Sequence, residues 1–145
     1  MIVSQNQTAI PRFPDGSEYD LINMENKKLG SGAYATVKLV KKKNVDEYYA
    51  VKEIDLKNIG EEDVININRE IISHQKINHP NVIRFLKYVQ RESKVFILLE
   101  FAKNGDLFKY LHKRKRLTEQ EACKYFVQTA EALDHIHKLG IIHRD

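Results

Sequence analysis

The chain is short of the residues that staple, stiffen or span. Among its 145 residues there are one cysteine (Cys123), three prolines and no tryptophan. A lone thiol excludes an intramolecular disulfide and fits a reducing compartment, so a cytoplasmic or nuclear setting is expected. No apolar run approaches the ~18 residues of a membrane span, and the longest, residues 95–99, has the length of a strand. The start (Met1, Ile2, Val3, Ser4) lacks the basic flank of a secretory signal, and residue 2 is not glycine, so neither secretion nor myristoylation is indicated. Broad charge of one sign is missing too. The net charge of +4 is 24 basic minus 20 acidic residues. Lys113, Arg114, Lys115 and Arg116 supply four positives, so the rest sums to zero, which argues against a nucleic-acid-binding face. That basic run reads as a solvated connector between two helices rather than a localisation or anion patch.

What is present suits one globular domain with a core: 42% hydrophobic and 30% charged residues. Residues 1–18 are polar, carry Pro11, Pro14 and Asp15-Gly16, and read as a flexible tail. Strand signals begin near Asn23. Val37 and Leu39 alternate with Thr36 and Lys38, and residues 48–54 form a second strand after a polar turn at 44–47. A helix follows over about 62–76, with acidic residues in its first turn and Ile67, Ile71, His74 and Ile77 at helical spacing. It ends at Asn78-His79-Pro80-Asn81, because the residue before proline avoids the helical region. Strands over about 82–88 and 94–100 lead to a turn at Asn104-Gly105 and a short helix capped by Asp106. Thr118 and Glu121 form a capping box for a last helix, ended by Lys138 and Gly140. Its apolar residues, from Ala122 and Cys123 to Leu133 and Ile136, cover about 220° of the circumference and expect cover on two sides. Cys123 belongs to that set and is expected to be a buried structural thiol.

Three features carry chemistry. Gly30-x-Gly32-x-x-Ala35 lets backbone N–H groups approach a phosphate without a clashing Cβ. Rossmann folds share that spacing, but their turn opens a helix; here a strand follows, so the turn must lie over a nucleotide as a flap. A plain hairpin with a bulge also accounts for the glycines taken alone. Lys52 lies within Tyr49-Ala50-Val51-Lys52-Glu53-Ile54, with small Ala50 on its own face, which suits a cation reaching phosphate beside a flat base. Glu70, on the helix near Ile67, Ile71 and His74, is expected to face inward, where a carboxylate is costly unless paired; Lys52 is the partner.

The series Gly30-x-Gly32-x-x-Ala35-x-Val37, Ala50-Val51-Lys52, Arg69-Glu70, His79-Pro80-Asn81, Leu99-Glu100-Phe101 and His143-Arg144-Asp145 resembles the eukaryotic protein kinases over about residues 19–145. Ala35 replaces the usual third glycine. The wording around Ile71-Ile72-Ser73-His74 and residues 106–111 resembles serine/threonine kinases of the Aurora and calmodulin-dependent groups. The resemblance implies an α+β fold: a five-stranded antiparallel sheet with its αC helix (19–99), a hinge (100–105) and the first helices of a C-lobe (106–145). It implies ATP, with Lys52 on the α- and β-phosphates and Glu70 paired to Lys52. Leu29, Val37 and Ala50 would sandwich the base, with Leu99 as gatekeeper. Backbone groups of Glu100 and Ala102 would hydrogen-bond adenine, and Asp106 would sit near the ribose. Asp145 would be the catalytic aspartate, and His143 would pack below His74 and Phe85 as a structural residue. Mg²⁺ is expected for the family, but its asparagine and D-F-G ligands have no counterpart in these 145 residues, so no metal ligands are assigned. Phosphate transfer by this chain alone is therefore not expected. The alternatives are a nucleotide-binding protein without transfer activity, and a non-catalytic module that contacts a kinase or regulator through its apolar last helix. A protein substrate is implied if the kinase is complete; neither nucleic acid nor membrane is.

Overall fold

The computed structural model describes residues 12–13, 18–21, 28–32 and 35–144. Six strands and three helices occur in the order β1 (Tyr19–Leu21), β2 (Lys28–Ser31), β3 (Ala35–Lys42), β4 (Tyr48–Asp55), α1 (Glu61–Gln75), β5 (Phe85–Arg91), β6 (Lys94–Glu100), α2 (Leu107–Arg114) and α3 (Glu119–Lys138). The sheet order is β1-β3-β4-β6-β5, with β2 also on β3. β1 pairs with the far half of β3 (Tyr19 opposite Lys42) and β2 with the near half (Ser31 opposite Thr36). β4 occupies the other side of β3 along nearly its whole length. Six segments therefore fill five positions, as the five-stranded expectation requires.

The chain forms two compact units, residues 1–61 with 86–99, and 62–85 with 100–145. In the first, the β3–β4 turn is closed by Lys42 N–H donating to the Glu47 carbonyl at 3.0 Å, with Asn44 at φ +62°. The pleat sends successive side chains to opposite faces. Val40 and Val51 lie on one face and are 0% and 1% exposed. Glu53 shares that face and holds Lys38 of β3 and, at 2.6 Å, Lys94 of β6. Burial pushes the Glu53 carboxyl up, but the Lys38 and Lys94 ammoniums outweigh it and hold it below the usual carboxylate range. Lys94 so places Phe96 and Leu98 on this same face, where both are buried.

Phe13 corrects the tail reading. It is 1% exposed and joins Tyr19, Val40, Val51, Phe96 and Leu98 in one core cluster. Its ring meets Tyr19 edge to face at 5.4 Å between centroids. Hydrophobic periodicity cannot register one aromatic isolated among polar residues. Pro11, Pro14 and Asp15-Gly16 of the expected tail, and Asn23, lie outside the described residues.

In the second unit, the loop after α1 is fixed by polar contacts. His74 Nε2 lies 2.8 Å from the Ile83 carbonyl and its ring packs on Phe85. Asn81 N–H donates to His79 Nδ1, and Asn81 Nδ2 donates to Glu131 of α3 at 3.0 Å. The Thr118–Glu121 capping box forms as expected. At the other end Gly140 has φ +73°; its N–H donates to His137 O and Ile141 N–H to Ile136 O, a Schellman closure. The basic residues 113–116 are all exposed, but Lys113 and Arg114 form the end of α2, and only Lys115 and Arg116 lie in the connector to α3. Cys123 corrects the buried-thiol expectation: it is exposed. Only one α3 stripe, with Tyr125, Ala132 and Ile136, is covered; the stripe of Cys123, Phe126, Ala130 and Leu133 is not. Among the described residues no helix is long and apolar enough to cross a membrane.

Glu18 gives a test of the first unit. Hydrogen bonds from Lys43 first, then Arg12, lower its pKa to about 2. Because the folded value is depressed, the stabilisation is present above the ordinary carboxylate range and lost as pH falls through about 2. Carboxyl NMR titration should give a Glu18 midpoint near 2, moving back toward the ordinary value in Lys43→Met.

Candidate functional site

The face of β3 and β4 opposite the Val40–Val51 core carries the sequence-marked residues. Val37 lies directly opposite Lys52, and Leu39 opposite Ala50. Opposed residues in an antiparallel pair point to the same side, so Val37, Leu39, Ala50, Lys52 and Ile54 share one face. Ala50 and Ile54 are 7% and 2% exposed, while Lys52 is half-buried between them. Because Lys94 meets Glu53 on the other face, alternation along β6 brings Val95, Ile97 and Leu99 to the Lys52 side. Val95 and Ile97 are buried and Leu99 half-buried.

The glycine segment reaches that face through a register shift. Lys28 opposes Lys38, but Gly30 opposes Val37, with an irregularity between. The shift moves Gly30 from the Val40 side to the Lys52 side. Gly32 N–H donates to Ala35 O at 2.8 Å, so Gly32 follows on the same side. Leu29, within the irregular step, is 37% exposed. A Cβ built on Gly30 or Gly32 meets nothing within 4 Å among the described residues, and neither glycine has a φ in the left-handed region. The packing of the described residues therefore does not demand glycine at either position. Ala33 and Tyr34, at the tip of the turn, lie outside the described residues.

The remaining candidates fall in the second unit. Glu100 N–H donates to Arg84 O at 3.0 Å and its carboxylate accepts from Arg84 N–H at 3.1 Å. Ala102 O accepts from Gly105 N–H at 3.1 Å, and Gly105 has φ +75°, a backbone state that favours glycine. Asp106 caps α2: Oδ1 accepts from Lys109 N–H at 2.7 Å, and that bond leads the causes holding its carboxyl below the usual range. Glu70 is exposed on α1, in contrast to the inward position expected; Ile71 beside it is buried. The two are consecutive, a turn of about 100° on a helix. His143 and Arg144 are exposed, and Asp145 lies outside the described residues. Among the described residues, no group of three or more His, Cys, Asp or Glu could hold a metal ion. The signals the sequence reading missed here are the register shift at Leu29 and the hydrogen bonds that fix Glu100.

Residues 24–145 match the family model described as protein kinase domain. CBL-interacting protein kinase 31 of Oryza sativa subsp. japonica is 36% identical over 118 residues, which is 81% of this chain and 26% of that protein. Serine/threonine-protein kinase SAPK9 of the same organism is 33% identical over 136 residues, 94% of this chain and 36% of that protein. NUAK family SNF1-like kinase 1 of Homo sapiens is 35% identical over 118 residues, 81% of this chain and 18% of that protein. The chain thus spans about a third or less of the length of these relatives.

The open space at the glycines makes a stability prediction. Gly30→Ala and Gly32→Ala should leave urea-unfolding stability unchanged or raise it by up to about 1 kcal/mol. A loss of more than that amount would mean that the fold itself needs these glycines.

Proposed function

The chain belongs to the serine/threonine protein kinase family, and on that premise we propose that it binds ATP and supplies the nucleotide-holding part of phosphoryl transfer to a protein Ser/Thr hydroxyl. The observation that carries this reading is the Val37–Lys52 pair beside two glycines that the packing of the described residues does not require. Glycine there serves something that approaches from outside, and a triphosphate beside a lysine fits both the space and the charge.

The proposal assigns roles residue by residue. The Lys52 ammonium neutralises the α- and β-phosphates, and Glu70 pairs with Lys52. Gly30 and Gly32 offer backbone N–H groups to phosphate oxygens. Leu29, Val37 and Ala50 enclose the base, and Leu99 bounds its pocket. In the 100–105 hinge, Glu100 N–H and Ala102 O are engaged within the protein, so the Glu100 carbonyl and Ala102 N–H are assigned to the adenine edge. Asp106 sits by the ribose, and Asp145 orients the accepting hydroxyl. Mg²⁺ supplies charge neutralisation in this family. The described residues offer no cluster for it, and transfer is assigned to the whole kinase rather than to these 145 residues. A single cysteine suits a reducing compartment, and the proposed setting is the cytoplasm or nucleus.

A second reading rests on α3. Phe126 is 73% exposed, and Val127 and Leu133 lie exposed beside it, an apolar stripe suited to another protein surface. In this reading the chain is a module that contacts a kinase or regulator.

Two experiments separate the readings. ATP at 100 times its Kd should stabilise the protein by about 2.7 kcal/mol, read as a rise in melting temperature. Lys52→Ala should abolish that rise, read against the variant's own ligand-free melting temperature. No rise with the parent protein, or a full rise in the variant, would sink the ATP reading. For the second reading, Phe126→Asp should reverse any self-association or partner capture seen in sedimentation while leaving the ATP shift intact.

A further inference from the structure

The sheet has two faces, and the family match begins only at residue 24. The Val40–Val51 face opposite Lys52 would be an open apolar surface if the chain began there. Instead, Phe13 and Tyr19 cover it. At one end, Arg91 Nη2 of β5 donates to the Arg12 carbonyl at 3.5 Å. The Lys87 ammonium, also on β5, lies 4.9 Å from the centre of the Phe13 ring and 5.3 Å from that of Tyr19. At the other end, Lys43, just past β3, holds Glu18 twice: its N–H donates to the Glu18 carbonyl at 3.2 Å, and its ammonium reaches the carboxylate at 2.7 Å. Arg12 closes the segment on itself through the same carboxylate. β5 is one edge of the sheet, and β3 stands next to the other, inside β1 and β2. Arg12 is thus held to β5 and Glu18 to Lys43 after β3, with Phe13 buried in the cluster that spans β3, β4 and β6.

We propose that this face is a docking groove occupied by the chain's own Phe13 and Tyr19, with Arg12 and Glu18 beside them, and that its occupancy holds the glycine-bearing strand β2 firmly on β3. The link is β3, which pairs with β1 at one end and β2 at the other. Val40, opposite Leu21 in β1, lies in the Phe13 cluster. Emptying the groove removes cover from Val40 near the end of β3 and frees β1, leaving β2 on a strand anchored from one side. The groove takes a phenyl ring beneath an ammonium, with an acidic residue following to meet Arg12 and Lys43. This inference holds whether or not the sheet binds nucleotide.

Amide hydrogen exchange of the full 145-residue protein tests it. In Phe13→Ala, amides of β2 (Lys28–Ser31) and β3 (Ala35–Lys42) should exchange about tenfold faster or more, while α3 (Glu119–Lys138) keeps its rates. Lys87→Met, which removes the cation over the two rings, should give the same pattern at smaller amplitude. A synthetic peptide of residues 1–22 added to Phe13→Ala should restore protection, and the same peptide carrying Phe13→Ala should not. Unchanged β2–β3 exchange in both variants would overturn the coupling. If Phe13→Ala speeds all elements equally, Lys87→Met decides: acceleration in α3 as large as in β3 overturns it as well. Failure of the unmodified peptide to restore protection would overturn the docking groove.

Discussion

Everything in the first unit depends on the strict alternation of side chains along β4. Val51 and Glu53 go to one face, and Ala50, Lys52 and Ile54 to the other. Neighbouring strands must match this division or bury a charge. Glu53 enforces it by holding Lys38 of β3 and Lys94 of β6 together across three strands. A slip of one residue in β6 would carry Lys94 away from Glu53 and exchange Phe96 and Leu98 for Val95 and Ile97. The ion pairs add little energy where they reach solvent, but they make one register far cheaper than its neighbours. The placement of Lys52 beside Val37 and Ala50 follows from that register.

Elements with local causes were legible in the sequence. The α3 cap rests on Thr118 and Glu121, three residues apart, and the closure on Gly140, so both ends could be read from a few letters. The strand at 94–100 and the turn at Asn104-Gly105 likewise have local causes. Features set by distant partners were not legible. Phe13 has no periodic neighbours, and its burial depends on Tyr19, Val40 and Leu98 from three other strands. Cys123 carries an apolar letter on an apolar helix, yet its exposure depends on which stripe of α3 finds cover. The strand at 85–91 begins three residues later than expected, because Asn81 and His79 are held in a loop by Glu131, fifty positions away.

The candidate site divides the same way. Residue identities and spacing marked Lys52, the glycines and the Leu99-Glu100 junction. Geometry added that Val37 and Lys52 are direct partners, that Glu100 is fixed to Arg84 at its N–H and carboxylate, and that Asp106 already serves as a helix cap. A carboxylate that caps a helix is held in place before any ligand arrives, so the ordering entropy of that side chain is spent in folding rather than in binding.

The irregular step at Leu29 has a wider consequence for how this segment can vary. It works as a frame change in the pleat: Lys28 before it shares the Lys38 side, and Gly30 after it shares the Val37 side. Substitutions between residues 28 and 30 leave that frame intact. Removing the extra residue would leave Lys28 opposite Lys38 and Gly30 opposite Val37 in one regular ladder. The side each glycine takes is thus set by pairing counted back from the turn, and a change of length before Gly30 alters the bend of the strand sooner than the placement of the glycines.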